Sequence, residues 1–157
     1  MTPAINAARK AKVNFTLHRY SHNPSADSYG EEAAIALGVA AERVFKTLVT
    51  SLDGKKDLLA VAIVPVSKRL NLKVLASFYG VRKVSMAYGK DAERATGYVI
   101  GGISPLGERK QLPMVLDESA LKYHSIYVSA GKRGLQIELS PIDLLRITGA
   151  KTGAIGR

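Results

Sequence analysis

The sequence contains no cysteine among its 157 residues. This absence excludes a disulfide framework and a thiolate metal site, and it gives no sign of an oxidising compartment. The N-terminal residues lack the apolar core of a signal peptide, and no apolar run approaches the roughly 20 residues that a membrane-spanning helix needs. We therefore expect a cytoplasmic protein that is neither exported nor inserted into a membrane.

Acidic residues are few relative to basic ones. Asp and Glu number 13 against 23 Lys and Arg, which gives a formal net charge of +10. This excess favours a polyanionic partner, nucleic acid first, although a soluble protein with a high isoelectric point has the same composition. The basic residues occur in small groups throughout the chain, which favours a folded basic surface over a disordered arm.

The length and composition predict one folded domain over residues 1–157. Hydrophobic residues make up 46% and charged residues 23%, so the chain has enough apolar side chains to bury a single core. Capping residues and glycine stops predict five helices. These begin near Thr2-Pro3, Tyr29, Asn71, Lys90 and Ser140-Pro141, and Gly38, Gly97 and Gly149 end the second, fourth and fifth.

Short apolar and β-branched runs between turn residues predict the strands. The runs are Val13–Leu17, Val44–Thr50, Leu58–Val64, Tyr98–Ile100, Leu112–Leu116, Ser125–Val128 and Leu135–Leu139, and Asn23-Pro24-Ser25 marks the end of the first. The second and third runs read as a hairpin. About seven strands mixed with helices, without strict alternation, predict an α+β fold with a mixed or largely antiparallel sheet.

Lys46 is a candidate site residue within the predicted strand Val44–Thr50. Apolar residues alternate on both faces of this strand, so we expect both faces to be covered. An ammonium group held there loses hydration, which is unfavourable unless an anion, a carbonyl or a water-lined cleft receives it. The alternative is a lysine whose stem lies on apolar surface while its amine reaches water.

Two glycine-containing loops are candidates for ligand contact. Gly101-Gly102-Ile103-Ser104-Pro105-Leu106-Gly107 allows backbone N–H groups to approach a substrate, and it lacks the ending of a nucleotide P-loop, so ATP is not indicated. Ser129-Ala130-Gly131-Lys132-Arg133-Gly134 has a serine at a strand end and a Lys-Arg pair suited to phosphates. A plain glycine turn and a hairpin with solvated charges are the alternatives.

Common catalytic and metal-binding patterns are missing from the sequence. His18 and His22 are four residues apart, which separates them by about 13 Å on a strand, too far to share a metal ion. No Gly-x-Ser-x-Gly elbow and no histidine–acid pairing in the sequence supports a classical catalytic triad. A desolvated Lys46 acting as base to Ser129 would make a Ser-Lys hydrolase, but sequence alone does not bring these two residues together.

Three segments together resemble the YbaK family. They are Phe45-Lys46-Thr47-Leu48, Thr96-Gly97-Tyr98 with the loop Gly101–Gly107, and Ser129–Leu135, and the resemblance continues in order through the whole chain. It implies a compact domain with a mixed, partly barrel-like sheet of six to seven strands flanked by helices. It implies no cofactor and no metal.

The resemblance also implies an activity. Members are similar to the editing domain of some prolyl-tRNA synthetases, and the branch that this chain resembles deacylates cysteinyl-tRNA(Pro) in trans, in transient complex with prolyl-tRNA synthetase. The implied chemistry belongs to the substrate, whose cysteine thiolate attacks its own ester carbonyl and leaves as a cyclic thiolactone. No activated protein nucleophile is then required.

The implied site centres on Lys46 as the catalytic residue. By the same resemblance, the substrate-binding residues are Tyr20, Tyr29, Thr47, Gly101, Gly102, Ser129, Gly131 and Gln136, and the tRNA-binding residues are Lys132 and Arg133. Two other classes stay open, namely a hydrolase with Ser129 as nucleophile and a non-catalytic module that binds tRNA or a synthetase. Turnover of a charged tRNA separates these classes.

Overall fold

The computed structural model describes residues 1–23 and 28–157. Within them, five α-helices and eight strands alternate irregularly, which confirms the predicted α+β class. The helices are α1 (Pro3–Lys10), α2 (Tyr29–Leu37), α3 (Leu72–Tyr79), α4 (Gly89–Thr96) and α5 (Pro141–Thr148). The strands are β1 (Phe15–Arg19), β2 (Phe45–Leu52), β3 (Leu59–Pro65), β4 (Val84–Met86), β5 (Met114–Asp117), β6 (Ile126–Lys132), β7 (Leu135–Leu139) and β8 (Lys151–Gly153). The predicted turn at Asn23-Pro24-Ser25 lies mostly outside the described residues.

The helix ends follow the capping residues in the sequence. The side chains of Thr2, Asn71 and Ser140 accept hydrogen bonds from the first-turn N–H groups of α1, α3 and α5. Helix α4 ends at Gly97, whose φ of 82° is left-handed and suits glycine. None of the helices in the described part of the chain is long and apolar enough to cross a membrane.

The strands form two sheets, one with the order β1-β7-β6 and one with the order β4-β2-β3-β5-β8. Strands β2 and β3 form the predicted hairpin, with Phe45 opposite Pro65 and Ser51 opposite Leu59. Strand β5 pairs in parallel with β3 and with β8. A bridge between Val44 and Tyr127 connects the two sheets. The described residues form no closed barrel, so this bridge is the barrel-like feature that the fold retains from the prediction.

The predicted strand Tyr98–Ile100 is wrong. Gly97 turns the chain into a loop, where Tyr98 is buried and its hydroxyl donates a hydrogen bond to the carbonyl of Leu106. Conversely, β4 and β8 were not predicted from the sequence. Each has only three residues, which is too short for an alternating pattern to be recognised.

Strand β2 is covered on both faces, as predicted. Phe45 and Val49 belong to the larger core between the two sheets, whereas Leu52 belongs to a second core on the opposite face, under α3. Strand β3 pairs with β2 along nearly its whole length, but β4 pairs only with Thr50–Leu52. The N–H of Ala87, just after β4, still donates to the carbonyl of Val49. Within the described residues, Phe45–Leu48 therefore have no paired strand on the β4 side, and the site lies at this open edge.

Candidate active site

A cleft of about 370 Å³ lies at the open edge of β2. Lys46 and Thr47 reach it from β2, while Ser129 and Gln136 reach it from the other sheet. Ser129 and Gln136 lie directly opposite each other in the β6–β7 register, and antiparallel partners project to the same face. The cleft therefore combines polar side chains from both sheets.

The structure brings most of the predicted site residues together. The cleft is lined by seven of them, Tyr20, Tyr29, Lys46, Thr47, Gly101, Ser129 and Gln136. Gly102 and Gly131 lie behind its wall, where they support Ser129. Lys132 is exposed to solvent outside the cleft.

The side chain of Lys46 is half-buried, and its ammonium group makes no hydrogen bond or ion pair with any residue that the structure describes. Loss of hydration lowers the pKa of this ammonium group, and the negative charge of the Glu31 carboxylate partly opposes this shift. A cation with reduced hydration and no anion in contact is available to a ligand. Lys46 can therefore favour a negative charge in the cleft.

Two buried polar atoms also lack partners in the described protein. The Oγ1 of Thr47 and the Oε1 of Gln136 are both inaccessible to solvent and form no hydrogen bond there. Leaving such atoms unpaired costs about 1 to 3 kcal/mol each. Both residues line the same cleft as Lys46, so the two unpaired oxygens lie in its wall. Burial raises the pKa of the neighbouring Tyr20, which keeps its phenol protonated.

The glycine loop is fastened to β6 through Ser129. The Ser129 hydroxyl donates to the carbonyl of Gly102 at 3.0 Å and accepts from the N–H of Gly131 at 3.1 Å. A Cβ on Gly102 would lie 2.6 Å from the Cα of Lys132, so the two backbones are in direct contact. The loop packs against the irregularity in β6 between Ser129 and Lys132. The hydroxyl proton of Ser129 is thus directed at a carbonyl and not at a base.

Arg133 makes contacts within the protein. Its Nε lies 3.2 Å from a carboxylate oxygen of Glu32, and its guanidinium lies 4.4 Å above the ring of Tyr29. Two groups hold the pKa of Glu32 below its ordinary value. The hydrogen bond from the N–H of Asn23 has the larger effect, and the guanidinium of Arg133 adds to it. The Tyr29 ring packs on Gly101, 3.4 Å from where a Cβ would stand. Arg133 therefore holds Tyr29 in the cleft wall, and its contact with tRNA stays a prediction.

The apolar part of the site was not predicted from the sequence. Phe45 and Val49 line the cleft from β2, and Met86, Ala87 and Ala92 line it from β4, the connection after it and α4. The first two could have been inferred because they share a strand face with Thr47. The other three belong to a segment whose position beside β2 no local pattern indicates.

Among the residues that the structure describes, no group of three His, Asp or Glu side chains is placed to hold a metal ion. His18 is instead held by Glu138, with 2.9 Å between Nε2 and Oε1, on the three-stranded sheet. His22 lies beyond the end of β1. The two histidines form no site together.

The model of the aminoacyl-tRNA editing domain matches residues 23–147, which include every residue lining the cleft except Tyr20. This chain belongs to that family. Over 154 residues, 98% of this chain and 92% of the relative, the editing domain is 42% identical to an Enterococcus faecalis protein provisionally named Cys-tRNA(Pro)/Cys-tRNA(Cys) deacylase EbsC. It is 27% identical to the uncharacterized protein YwhH of Bacillus subtilis, over 77% of this chain and 75% of YwhH.

A solved structure shares the fold of this editing domain. A provisionally assigned trans-editing enzyme for prolyl tRNA synthetase superposes with a TM-score of 0.82, covering 99% of this chain and 95% of that one at 23% identity. At this level of identity the comparison establishes the arrangement of helices and strands.

Proposed function

We propose that this editing domain deacylates tRNA that carries cysteine, and that cysteinyl-tRNA(Pro) in the cytoplasm is its substrate. The observation that carries the proposal is the cleft lined by a desolvated Lys46 together with the polar side chains of Thr47, Ser129 and Gln136. These groups suit a small polar ester. The name of the Enterococcus faecalis relative supports cysteine as the amino acid and tRNA(Pro) as the tRNA of this substrate.

The proposed reaction uses the thiol of the substrate. The cysteine thiol loses its proton to water, and its sulfur attacks the carbonyl carbon of its own ester. A C–S bond forms, the bond to the ribose oxygen breaks, and that oxygen takes up a proton from solvent. The products are a cysteine thiolactone and free tRNA. Lys46 stabilises the thiolate and the developing oxyanion, while the backbone at Gly101 holds the ester in position.

The residues present favour a nucleophile from the substrate. The chain has no cysteine, so a thiol in the cleft comes from the ligand. The Ser129 hydroxyl is held between the carbonyl of Gly102 and the N–H of Gly131. Lys46 and Ser129 do line the same cleft, which keeps a serine hydrolase as the second candidate.

The test compares cysteinyl, seryl and alanyl esters of the same tRNA(Pro) under single turnover, with mass spectrometry of the first product. We expect rapid release of thiolactone from the cysteinyl ester and slow reaction of the other two esters, because these lack the thiol. Pocket fit alone would separate the rates for such side chains by only about 10- to 200-fold. Alkylating the thiol should make the cysteinyl ester resistant. Ser129→Ala should weaken turnover without abolishing it. Equal rates for the three esters, or an acyl adduct on Ser129, would contradict the thiol mechanism.

We propose prolyl-tRNA synthetase as a transient partner. This partner is supported by the structural neighbour, which is described as a trans-editing enzyme for prolyl tRNA synthetase. The net charge of +10 also suits a tRNA that both proteins bind. Adding the synthetase should increase deacylation of cysteinyl-tRNA(Pro) more than that of cysteinyl-tRNA(Cys). An equal effect on both would argue against a specific complex.

A further inference from the structure

Four exposed apolar side chains lie on the two chain segments that reach the mouth of the cleft, and we refer to them as the rim. They are Met86, Tyr88, Val99 and Ile100, with 50%, 79%, 73% and 47% of their surface exposed. Met86 and Ile100 also line the cleft itself, so the rim continues its wall outward. Apolar side chains grouped beside a polar cleft indicate a binding surface.

The rim is a built feature, because its two segments are held together. Ile100 packs on the start of α4, where a Cβ on Gly89 would meet its Cγ1 at 3.7 Å. The N–H of Ile100 donates to the carboxylate of Glu93 on α4 at 2.8 Å. Tyr88 is the residue immediately before α4 and precedes Gly89, so this exposed residue adjoins the contact. The loop after α4 and the chain before it thus form one edge of the cleft.

Exposed positive charge lies next to the rim. Lys90 and Arg94 on α4 are both exposed and lie four residues apart, which places them on one face of the helix. Glu93 is engaged by the N–H of Ile100. An exposed aromatic residue with exposed cations close to it in the chain suits single-stranded nucleic acid, through base stacking and phosphate attraction.

We infer that the rim binds the adenine base of the terminal nucleotide of the tRNA, with Tyr88 as the stacking side chain. The inference rests on the proposed function and deepens it. When the aminoacyl group lies beside Lys46, its ribose lies at the mouth, and the attached base meets the rim. A stable protein interface buries about 20 to 30 residues on each side, so four side chains suit a purine better than a protein partner.

The direct test uses an uncharged single-stranded oligonucleotide of the tRNA 3′ end with 2-aminopurine in place of the terminal adenine. Stacking on a tyrosine quenches its fluorescence. We expect quenching by the unmodified chain, its loss in Tyr88→Ala, and its retention in Tyr88→Phe. Ile142→Ala is the matched control, because Ile142 is exposed on α5 and does not line the cleft. Melting temperatures of all variants should be unchanged, since Tyr88 is on the surface.

The kinetic test follows deacylation of full-length cysteinyl-tRNA. Tyr88→Ala should raise KM about 5- to 30-fold with kcat little changed, because stacking holds the base in both the ground state and the transition state. Quenching that is equal in Tyr88→Ala and the unmodified chain would overturn the inference. Loss of affinity for prolyl-tRNA synthetase in Tyr88→Ala, without any change in quenching, would overturn it too and assign the rim to a protein.

The two proposals fail separately. The oligonucleotide carries no amino acid, so quenching that depends on Tyr88 supports the rim even when no deacylation is found. Deacylation in which Tyr88→Ala and Tyr88→Phe both have the KM of the unmodified chain supports the proposed function and refutes base binding at the rim.

Discussion

Lys46 is the residue on which the proposed chemistry depends most. Replacing it with Ala or Met should lower kcat for cysteinyl-tRNA by about 100-fold or more, because the cleft loses the charge that stabilises the thiolate and oxyanion. The fold should be retained, since removing a half-buried cation without a contacting anion relieves desolvation. Single-turnover deacylation beside a thermal melt measures both effects.

Lys46→Met serves as the matched variant, because it keeps most of the apolar stem while it removes the charge. Lys46→Arg should retain part of the activity. Normal turnover in a folded Lys46→Met protein would exclude the ammonium group from the chemistry.

Lys132 and Arg133 are neighbours in sequence but differ in surroundings. Lys132 is exposed, whereas Arg133 is held by Glu32 and Tyr29. Lys132→Ala should weaken binding of whole tRNA and flatten its salt dependence by about one phosphate contact. Arg133→Ala should slow cleavage of a minimal cysteinyl-adenosine ester as well, because Tyr29 loses its support beside Gly101.

The comparison of the two substrates distinguishes these roles. An Arg133→Ala protein that cleaves the minimal ester normally, yet shows a flatter salt dependence with tRNA, would return Arg133 to the phosphate-binding role predicted from the sequence.

At the scale of elements, the contact between the glycine loop and β6 sets the shape of the cleft wall. Gly102→Ala would bring a Cβ to 2.6 Å from the Cα of Lys132, and backbone atoms cannot move aside cheaply. We expect the loop to separate from β6, with loss of the hydrogen bond from Ser129 to the Gly102 carbonyl. Activity should fall more than tenfold, with a destabilisation of about 1 to 3 kcal/mol.

Gly153→Ala provides the control at a glycine where a Cβ would make only ordinary contacts, the nearest at 3.5 Å to Phe78. It should leave deacylation unchanged. Urea unfolding and single-turnover rates of both variants test the difference, and equal activities for the two would show that the loop position does not matter.

The helices and the long strands were predictable because their signals are local. The hairpin β2–β3 and the ends of α2, α4 and α5 follow from alternation, capping and glycine stops. The strand Tyr98–Ile100 was predicted wrongly because its β-branched apolar residues lie in a loop, where Tyr98 is buried but Val99 and Ile100 are exposed. Strands β4 and β8 exist only through pairing with distant partners, β2 and β5, and their own residues do not signal it.

At the scale of the whole molecule, a buried carboxyl makes stability depend on pH. Both carboxylate oxygens of Glu108 are buried without a partner among the described residues, and burial raises its pKa from 4.5 to about 8. Between these values the folded chain holds a proton that the unfolded chain has released. The free energy of unfolding should therefore fall as pH rises through this window and level off above it.

Glu108→Gln should remove that slope and stabilise the protein most at about pH 8, because the amide cannot ionise. Urea unfolding at several pH values measures the effect. Glu118→Gln makes the same chemical change at an exposed glutamate and should keep the slope. A slope that persists in Glu108→Gln would assign the pH dependence to other groups.

By itself, the sequence determined the helix ends, the hairpin, the two-sided cover of β2 and the three segments that carry the site. These features depend on residues close together in the chain. Only the tertiary structure decided that Lys46 and Thr47 line one cleft with Ser129 and Gln136, that Arg133 contacts Tyr29, and that exposed apolar side chains adjoin this cleft. Each of these depends on strand register and edge pairing between distant segments, which local periodicity does not encode.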